Sequence, residues 1–394
     1  MIPARLPVAV AAAGIATFLN LYTPQAILPA LAASFGIAPA QVGLAITASL
    51  LAVAIVAPFA GAISDMLGRK RLIVAAAMLV ILPTLLVATA PSFRALLLWR
   101  FAQGLLLPFI FTVTIAYIAD ECSGPAGIRA AGVYSSGAIA GGFAGRFIAG
   151  VAADYGGWRV GFGAVAAATA LAAVVIAALL PRERNFRPER GGLRAILRGW
   201  REHAGNPRLW GCCAVGATML FGVVATFTFI NLRLAAAPFS LSPGALGAVF
   251  GVYMIGVVTT PLATRAAVRV GRIATGTVAA AIAAAGEALT LAPSLPAIIA
   301  GLAMVCAGLF VAQALALGYI GVAAQRARSS AVGLYVAVYY VGGGLGAVLP
   351  APVWRHAGWP GCVAVIVAAI VLMAAAIALT FRAPAALRPA PPSR

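Results

Sequence analysis

Residues 43–60 read GLAITASLLAVAIVAPFA, residues 61–71 read GAISDMLGRKR, and residues 72–90 read LIVAAAMLVILPTLLVATA. The two outer stretches carry no charge, and each is close to the roughly 20 apolar residues that a helix needs to cross about 30 Å of hydrocarbon. Between them one acid and three bases, Asp65, Arg69, Lys70 and Arg71, are packed into a short turn. A bilayer offers no partner to a bare backbone group, so each run must close its hydrogen bonds within itself, as a helix. The stretch therefore predicts a chain that crosses a membrane, turns in water and crosses back.

The same pattern extends in both directions. Apolar runs recur at 8–31, 41–61, 72–90, 94–118, 128–151, 159–180, 208–231, 244–263, 273–292, 296–321, 330–352 and 359–381. They predict an all-α polytopic membrane protein with twelve transmembrane helices. Barrel strands do not fit, because they would be about ten residues long and alternate in polarity. Composition agrees: 63% of the 394 residues are hydrophobic and 9% are charged, more apolar material than one soluble core buries. The run after Arg5 resembles a signal peptide, but with eleven more behind it the reading is an uncleaved first helix. Cys122, Cys212, Cys213, Cys306 and Cys362 lie in or beside the runs, and adjacent helical residues point about 100° apart, so neither a disulfide framework nor a metal-ligand pair is expected.

A net charge of +19 would suggest nucleic-acid binding in a soluble protein, so the location of the charges decides. If the N-terminus is cytoplasmic, 21 of the 27 Lys and Arg fall at cytoplasmic ends or loops, with clusters at 69–71, 182–208 and 265–272. The other face holds Arg94, Arg159, Arg233 and Arg355. That asymmetry is the positive-inside pattern of a chain facing an anionic cytoplasmic leaflet. The expected partner is the lipid bilayer, with no nucleic acid, and the expected location is a bacterial inner membrane with both termini cytoplasmic.

Sliding the chain along itself by about 202 residues exposes a repeat. Pro58, Gly68 and Arg69 meet Pro261, Gly271 and Arg272, and Pro91, Ser92 and Tyr117 meet Pro293, Ser294 and Tyr319. Tyr134, Gly141, Gly142, Gly145, Gly157 and Trp158 meet Tyr335, Gly342, Gly343, Gly346, Gly358 and Trp359. The expected organisation is a six-helix half over 1–180, a cytoplasmic linker over 181–207, a second six-helix half over 208–381 and a tail over 382–394. Within the linker, Leu193, Ile196, Leu197 and Trp200 have the spacing of a short amphipathic helix with Arg194, Arg198 and Arg201 toward lipid phosphates. A merely solvated linker is the alternative.

In the charged turn Gly61 and Gly68 permit a tight reversal, while Asp65 is the lone carboxylate able to meet a helix N-terminus or an arginine. This segment resembles the signature motif of the major facilitator superfamily. The resemblance implies a conformational latch built from Gly61, Asp65, Gly68, Arg69 and Lys70. Asp65 would face the start of the eleventh helix near Ser329 and Ser330, and Arg69 would reach Asp120 or Glu121. The second-half copy has Thr264 and Val268 in place of Gly61 and Asp65, so its latch is expected to be weak.

WRFAQG, with Arg100, Gln103 and Gly104, resembles the superfamily's second motif, in which a buried arginine follows a short periplasmic turn. The run GAIAGGFAGRFIAG sets Gly137, Gly141, Gly142, Gly145 and Gly150 in one helix, suited to close packing and rocking. It resembles the motif of the superfamily's exporters, except that Gly142 replaces the expected proline and Arg146 the second glycine. The first-helix LYTPQAILP, the GRFIAG of the fifth helix, the WR at 158–159 and YVGGGLG at 340–346 are similar to the YnfM-like, acriflavine-type branch. That resemblance covers nearly all of the chain and implies efflux.

Arg100 and Arg146 fall at similar depth, about six residues from the outer ends of their helices, with no acid beside them, so an anionic group is a fitting partner, and bonds to helix carbonyls and Gln103 are the structural alternative. Glu287 is the one acid inside any expected span, hence a candidate for proton coupling, although a ninth helix at the bundle edge also suits packing or snorkelling. Asn20, Gln25, Gln103, Tyr134, Thr226, Asn231, Tyr253, Gln313, Tyr335 and Tyr339 offer a polar and aromatic cavity lining. The expectation is a monomeric secondary transporter of a small organic solute, by proton-coupled efflux, needing no cofactor and no metal. Uptake or exchange of a small organic anion is the alternative. A membrane enzyme would need acid–base groups or ligands gathered at one depth, and His203 and His356 stand alone in loops; a sensor would need a signalling domain.

Overall fold

Alanine, leucine and valine fill the apolar runs, and in the computed structural model, which describes residues 5–184 and 192–381, every one of them lies on helical backbone. The expected tail and the middle of the linker, 185–191, lie outside the described residues, as do the side chains of Leu193 and Arg194. In the first half, α1 (Leu6–Leu21) continues through a 3₁₀ turn into α2 (Leu28–Phe35). There follow α3 (Leu44–Leu67), α4 (Arg69–Leu79), α5 (Ile81–Ala88), α6 (Phe93–Glu121) and α7 (Gly124–Leu179). A linker helix, α8 (Gly192–His203), leads to α9 (Pro207–Ala235), α10 (Pro243–Val249), α11 (Ile255–Val270), α12 (Arg272–Leu289), α13 (Leu295–Ala323), α14 (Arg328–Gly346) and α15 (Ala351–Thr380).

By length and composition eight helical segments among the described residues reach across a membrane, or nine if the pair Leu6–Leu21 and Thr23–Phe35, bent by 41°, counts as one span. The 56-residue α7 holds two of the expected crossings, broken where Gly157 takes φ +75°. The expected ninth and eleventh spans fall on the shorter α12 and α14. Three crossings expected to be continuous are interrupted. Pro83 has no N–H for the carbonyl of Leu79 and crowds it, so α4 gives way to α5 at Val80. Pro24 does the same to Asn20 at the end of α1. A 3₁₀ turn over Phe250–Met254 separates α10 from α11.

The repeat read in the sequence is present in the backbone. Gly68 and Gly271 occupy one unusual conformation, φ +93°, ψ 139° and φ +88°, ψ 156°, which an L side chain rarely adopts. Gly157 and Gly358 both take positive φ, each followed by a buried tryptophan, Trp158 or Trp359. Packing repeats too. A Cβ at Gly137, Gly141 or Gly145 would strike the backbone of Ala11, Ile15 or Leu19 on α1, and one at Gly342 or Gly346 the backbone of Ala217 or Phe221 on α9. Without a hydrophobic drive between helices in lipid, such close backbone approach supplies the packing energy. The halves meet chiefly along α3 against α14 and α7 against α10. The linker face denotes below the side bearing the α3–α4 turn and α8; the opposite side is the far face.

Candidate functional site

At the linker face Arg69 is the centre of a polar cluster. Its guanidinium pairs with Asp65 at 2.8 Å, donates to Ser64 Oγ at 2.6 Å and binds the Asp120 carboxylate. The backbone N–H groups of Arg69 and Lys70, the exposed start of α4, donate to Glu183 Oε2 at 2.8 and 3.3 Å. A carboxylate there satisfies orphan donors and the positive helix end together. Glu121 accepts from the Arg184 N–H at 2.8 Å. Asp65 therefore faces Arg69, four residues on, and its described bonds do not include Ser329 or Ser330. The linker helix occupies that place: Gly199 of α8 lies against Ser330, and Trp200 packs on Phe59 with ring centroids 5.6 Å apart. His203 Nε2 is 3.2 Å from the carbonyl of Ala327. The amphipathic linker helix thus forms, and it bridges the two halves.

The two arginines placed together in the sequence part company in the structure. Arg100 is 0% exposed and its fork is spent on the protein. Nη1 donates to the Asn20 carbonyl at 2.8 Å and to Gln103 Oε1 at 2.6 Å, Nη2 to the Leu21 carbonyl at 2.6 Å, and Nε to the Ala45 carbonyl at 3.1 Å. The Asn20 carbonyl is the one that Pro24 leaves without its helical donor, while the Gln25 N–H turns to Tyr22 instead of Leu21. Arg100 is the cap of a broken helix. Gln103 Nε2 donates to Thr84 at 2.7 Å, Thr84 to Asn20 Oδ1 at 2.9 Å, and Asn20 Nδ2 to Thr169 at 2.9 Å. This closed network ties five crossings and does not touch the cavity between the halves.

That cavity holds about 400 Å³. Arg146, 1% exposed, stands at its inner end and donates from Nε to Gln25 Oε1 at 2.7 Å and from Nη1 to the Gly142 carbonyl at 2.5 Å. Its guanidinium carbon lies 4.8, 4.4 and 4.9 Å from the ring centroids of Tyr22, Phe250 and Tyr253, the last two delivered by the turn between α10 and α11. From there the lining runs to Ile115, Ser135, Thr260 and Leu317, on the linker-side turns of their helices. Along α7 alone, Arg146 to Ser135 is about 16 Å at 1.5 Å per residue. Aromatic rings make the walls, Phe111 meeting Tyr340 at 6.1 Å and Tyr335 stacking on Tyr339 at 5.9 Å.

The far face is shut. Gly150 abuts the backbone of Pro243, Gly247 that of Arg146 and Phe147, and Gly43 that of Ala347. Asn231 Nδ2 donates to the Gln25 carbonyl at 2.7 Å and Thr47 to the Gly344 carbonyl at 2.8 Å. Asp154 accepts from Ser242 at 3.0 Å and from the Gly244 N–H at 3.1 Å, fastening the bend of α7 to the start of α10.

Of the residues expected to line a cavity, Arg146, Tyr134, Tyr253, Gln313, Tyr335 and Tyr339 do, with Gln313 donating to Tyr339 at 3.1 Å. Asn20, Gln103 and Arg100 do not, and Gln25 and Asn231 reach it only through Arg146 and the far-face closure. Gly142 is no packing glycine. A Cβ there would meet only Arg146 Nη1 at 3.6 Å and Phe18 at 3.9 Å, so it belongs to the cavity wall, while Gly150 packs against the other half. Glu287 does not snorkel either: it is 0% exposed, accepts from Thr226 on α9 through Oε1, and leaves Oε2 without a partner. Sequence reasoning missed Asp154, Glu183 and the rings Phe18, Phe111, Phe310 and Tyr340. The i, i+4 pairs Phe18–Tyr22 and Tyr335–Tyr339 were the available signal.

Comparison with known proteins agrees with this architecture. The sequence profile of the Major Facilitator Superfamily matches residues 10–236. The inner membrane transport protein YnfM of Escherichia coli K12 is 32% identical over 371 residues, 93% of this chain and 88% of that one. The uncharacterized MFS-type transporter YybF of Bacillus subtilis 168 is 28% identical, over 90% and 88% of the two chains. Among solved structures, a bacterial homologue of the human lysosomal transporter Spinster, in an inward-facing and unoccupied conformation, superposes with a TM-score of 0.76 over 97% of each chain at 18% identity. The POT family transporter PepTSo gives 0.76, covering 96% of this chain and 97% of its own, at 13% identity.

Proposed function

This chain belongs to the major facilitator superfamily of membrane transporters, and on that premise we propose that it carries a small organic solute out across a bacterial inner membrane by alternating access, in exchange for protons and as a monomer. The observation that carries the reading is the cavity itself. It lies between the halves, ends at Arg146 against a closed far face, and extends to the linker side. The arginine-rich linker face is the cytoplasmic one, because basic residues gather on the side of the anionic leaflet. In this reading residues 1–180 and 208–381 are the bodies that rock, the Gly61–Arg71 segment with Asp120 is the latch on the cytoplasmic side, and α8 spans the joint. That segment stays helical through Leu67 and reverses at Gly68, not at Gly61.

Proton coupling falls to Glu287. A carboxyl in the interior of a bundle, with one oxygen on Thr226 and the other unpartnered, is costly and best explained by use. The test is flux in proteoliposomes with an imposed pH gradient, over organic anions, cations and neutral solutes. Gradient-driven uptake is expected in inverted vesicles. Glu287→Gln should abolish accumulation against the gradient while leaving solute-for-solute exchange in place. Equal accumulation with and without the gradient would remove proton coupling from the reading.

A further inference from the structure

The cavity has one formal charge on its wall. Among the described lining residues Arg146 is the sole ionic side chain, and no carboxylate faces it. Burying a guanidinium costs several kcal/mol unless something answers the charge. What answers it here is incomplete. Two of its five donors go to Gln25 and Gly142, no described bond uses Nη2, and three ring faces supply only a quadrupole. A planar fork with free donors is matched by an oxyanion that takes two parallel hydrogen bonds.

A second observation points the same way. The hydroxyl of Tyr253, on the cavity wall, is buried without a hydrogen-bond partner, as is Nε2 of Gln25 beside Arg146; the Tyr335 hydroxyl, also unpartnered, lies against Gly216 of α9 instead. Buried polar groups nearly always find a partner, so an orphan beside a cavity calls for one, and a ligand's acceptor is a partner the cavity can supply. The remaining wall, with Phe18, Phe111, Phe310 and Tyr340, is flat and apolar and offers a ring or another planar body its surface. An aromatic cage by itself suits a cationic guest. Here the cage of Tyr22, Phe250 and Tyr253 is already filled by the guanidinium, which repels a second cation.

We infer that the solute this cavity takes is an organic anion with a planar apolar body, its carboxylate or sulfonate on the Nη edge of Arg146 and its body among the aromatic walls. The inference rests on the cavity being the solute site. Equilibrium binding to the purified full chain in detergent tests it without requiring turnover. The probes are 2-naphthoate, 2-naphthamide and 2-naphthylmethylammonium, which share a body and differ in charge. Naphthoate should bind about ten- to a hundredfold more tightly than the amide, the range of a charge-assisted contact, and the ammonium should not displace it. In Arg146→Gln the preference of anion over amide should vanish. In Arg146→Lys, which keeps charge without the fork, it should persist in reduced form and serves if the first variant does not fold. Equal affinity of the wild type for anion and amide, no saturable naphthoate binding at millimolar concentration, or an undiminished preference in a folded Arg146→Gln would each overturn the assignment. Binding as expected without flux in vesicles would instead defeat the transport reading alone.

Discussion

Arg100 and Arg146 are the same residue type, set by the sequence at similar depth, and their surroundings give them opposite employment. Arg100 meets carbonyls that a proline and a 3₁₀ turn have stripped of helical donors, so the guanidinium completes the backbone. Arg146 meets rings and a side-chain amide, with donors left over, at the end of a cavity. Arg100→Ala should therefore act on folding. It strands the carbonyls of Asn20 and Leu21 and the Gln103 amide, each worth about 1–3 kcal/mol when buried and unpaired. Thermal unfolding in detergent should fall by about 5–10 °C, with the folded fraction still binding solute. An Arg100→Ala protein that melts like the parent but binds nothing would show that the residue serves the solute after all.

On α7, a step of one residue separates a packing surface from a cavity wall. Gly137, Gly141 and Gly145 lie a turn apart and let the helix touch α1 backbone to backbone; Gly142 and Arg146, also a turn apart, face the space between the halves. Gly141→Ala would drive a methyl into Ile15 and is expected to cost about 1–3 kcal/mol, the usual penalty of overpacking. Gly142→Ala has ordinary van der Waals room and should leave the melting temperature within error while altering solute affinity. Parallel melting and binding curves of the two variants check this, and matching losses of stability would refute the division of faces. The interrupted helices follow the same logic of position: the break between α10 and α11 turns Phe250 and Tyr253 onto Arg146.

Over the whole molecule two carboxylates sit on opposite faces. Asp154 bonds the Gly244 N–H and Ser242 across the closed far side, while Asp65 belongs to the Arg69 cluster on the open linker side. A carboxylate at an exposed helix N-terminus, as Asp154 is to α10, contributes about 0.3–1 kcal/mol, and an i, i+4 ion pair such as Asp65–Arg69 about 0.3–0.5 kcal/mol, each a roughly two- to fivefold change in population. States of an alternating transporter differ by only a few kcal/mol, so either loss registers. Asp154→Asn should loosen the far face and slow labelling of a cysteine at Ser135, on the linker-side wall. Asp65→Asn should speed that labelling, with normal insertion and strongly reduced transport. Changes in the same direction, or none, would leave Asp154 an ordinary cap and Asp65 an ordinary ion pair.

The sequence by itself determined the membrane as solvent, the helices and the repeat. Apolar run length and the period of glycine and proline are local properties, and lipid leaves a backbone few other options. Gly68 with Gly271, and Gly157 with Gly358, were legible for the same reason, since their backbone conformations, with positive φ and extended ψ, are ones an L side chain rarely adopts. The Arg69–Asp120 contact was legible only through the resemblance of the charged segment to the superfamily's signature motif, which set Arg69 toward Asp120 or Glu121. Only the tertiary structure decided that Asp65 pairs within its own turn while α8 takes the start of α14, that Glu287 is walled in, and that Arg146 faces the cavity while Arg100 does not. Those outcomes depend on which helix each side chain meets across the bundle, and hydropathy along one chain carries no information about the rotation of its neighbours.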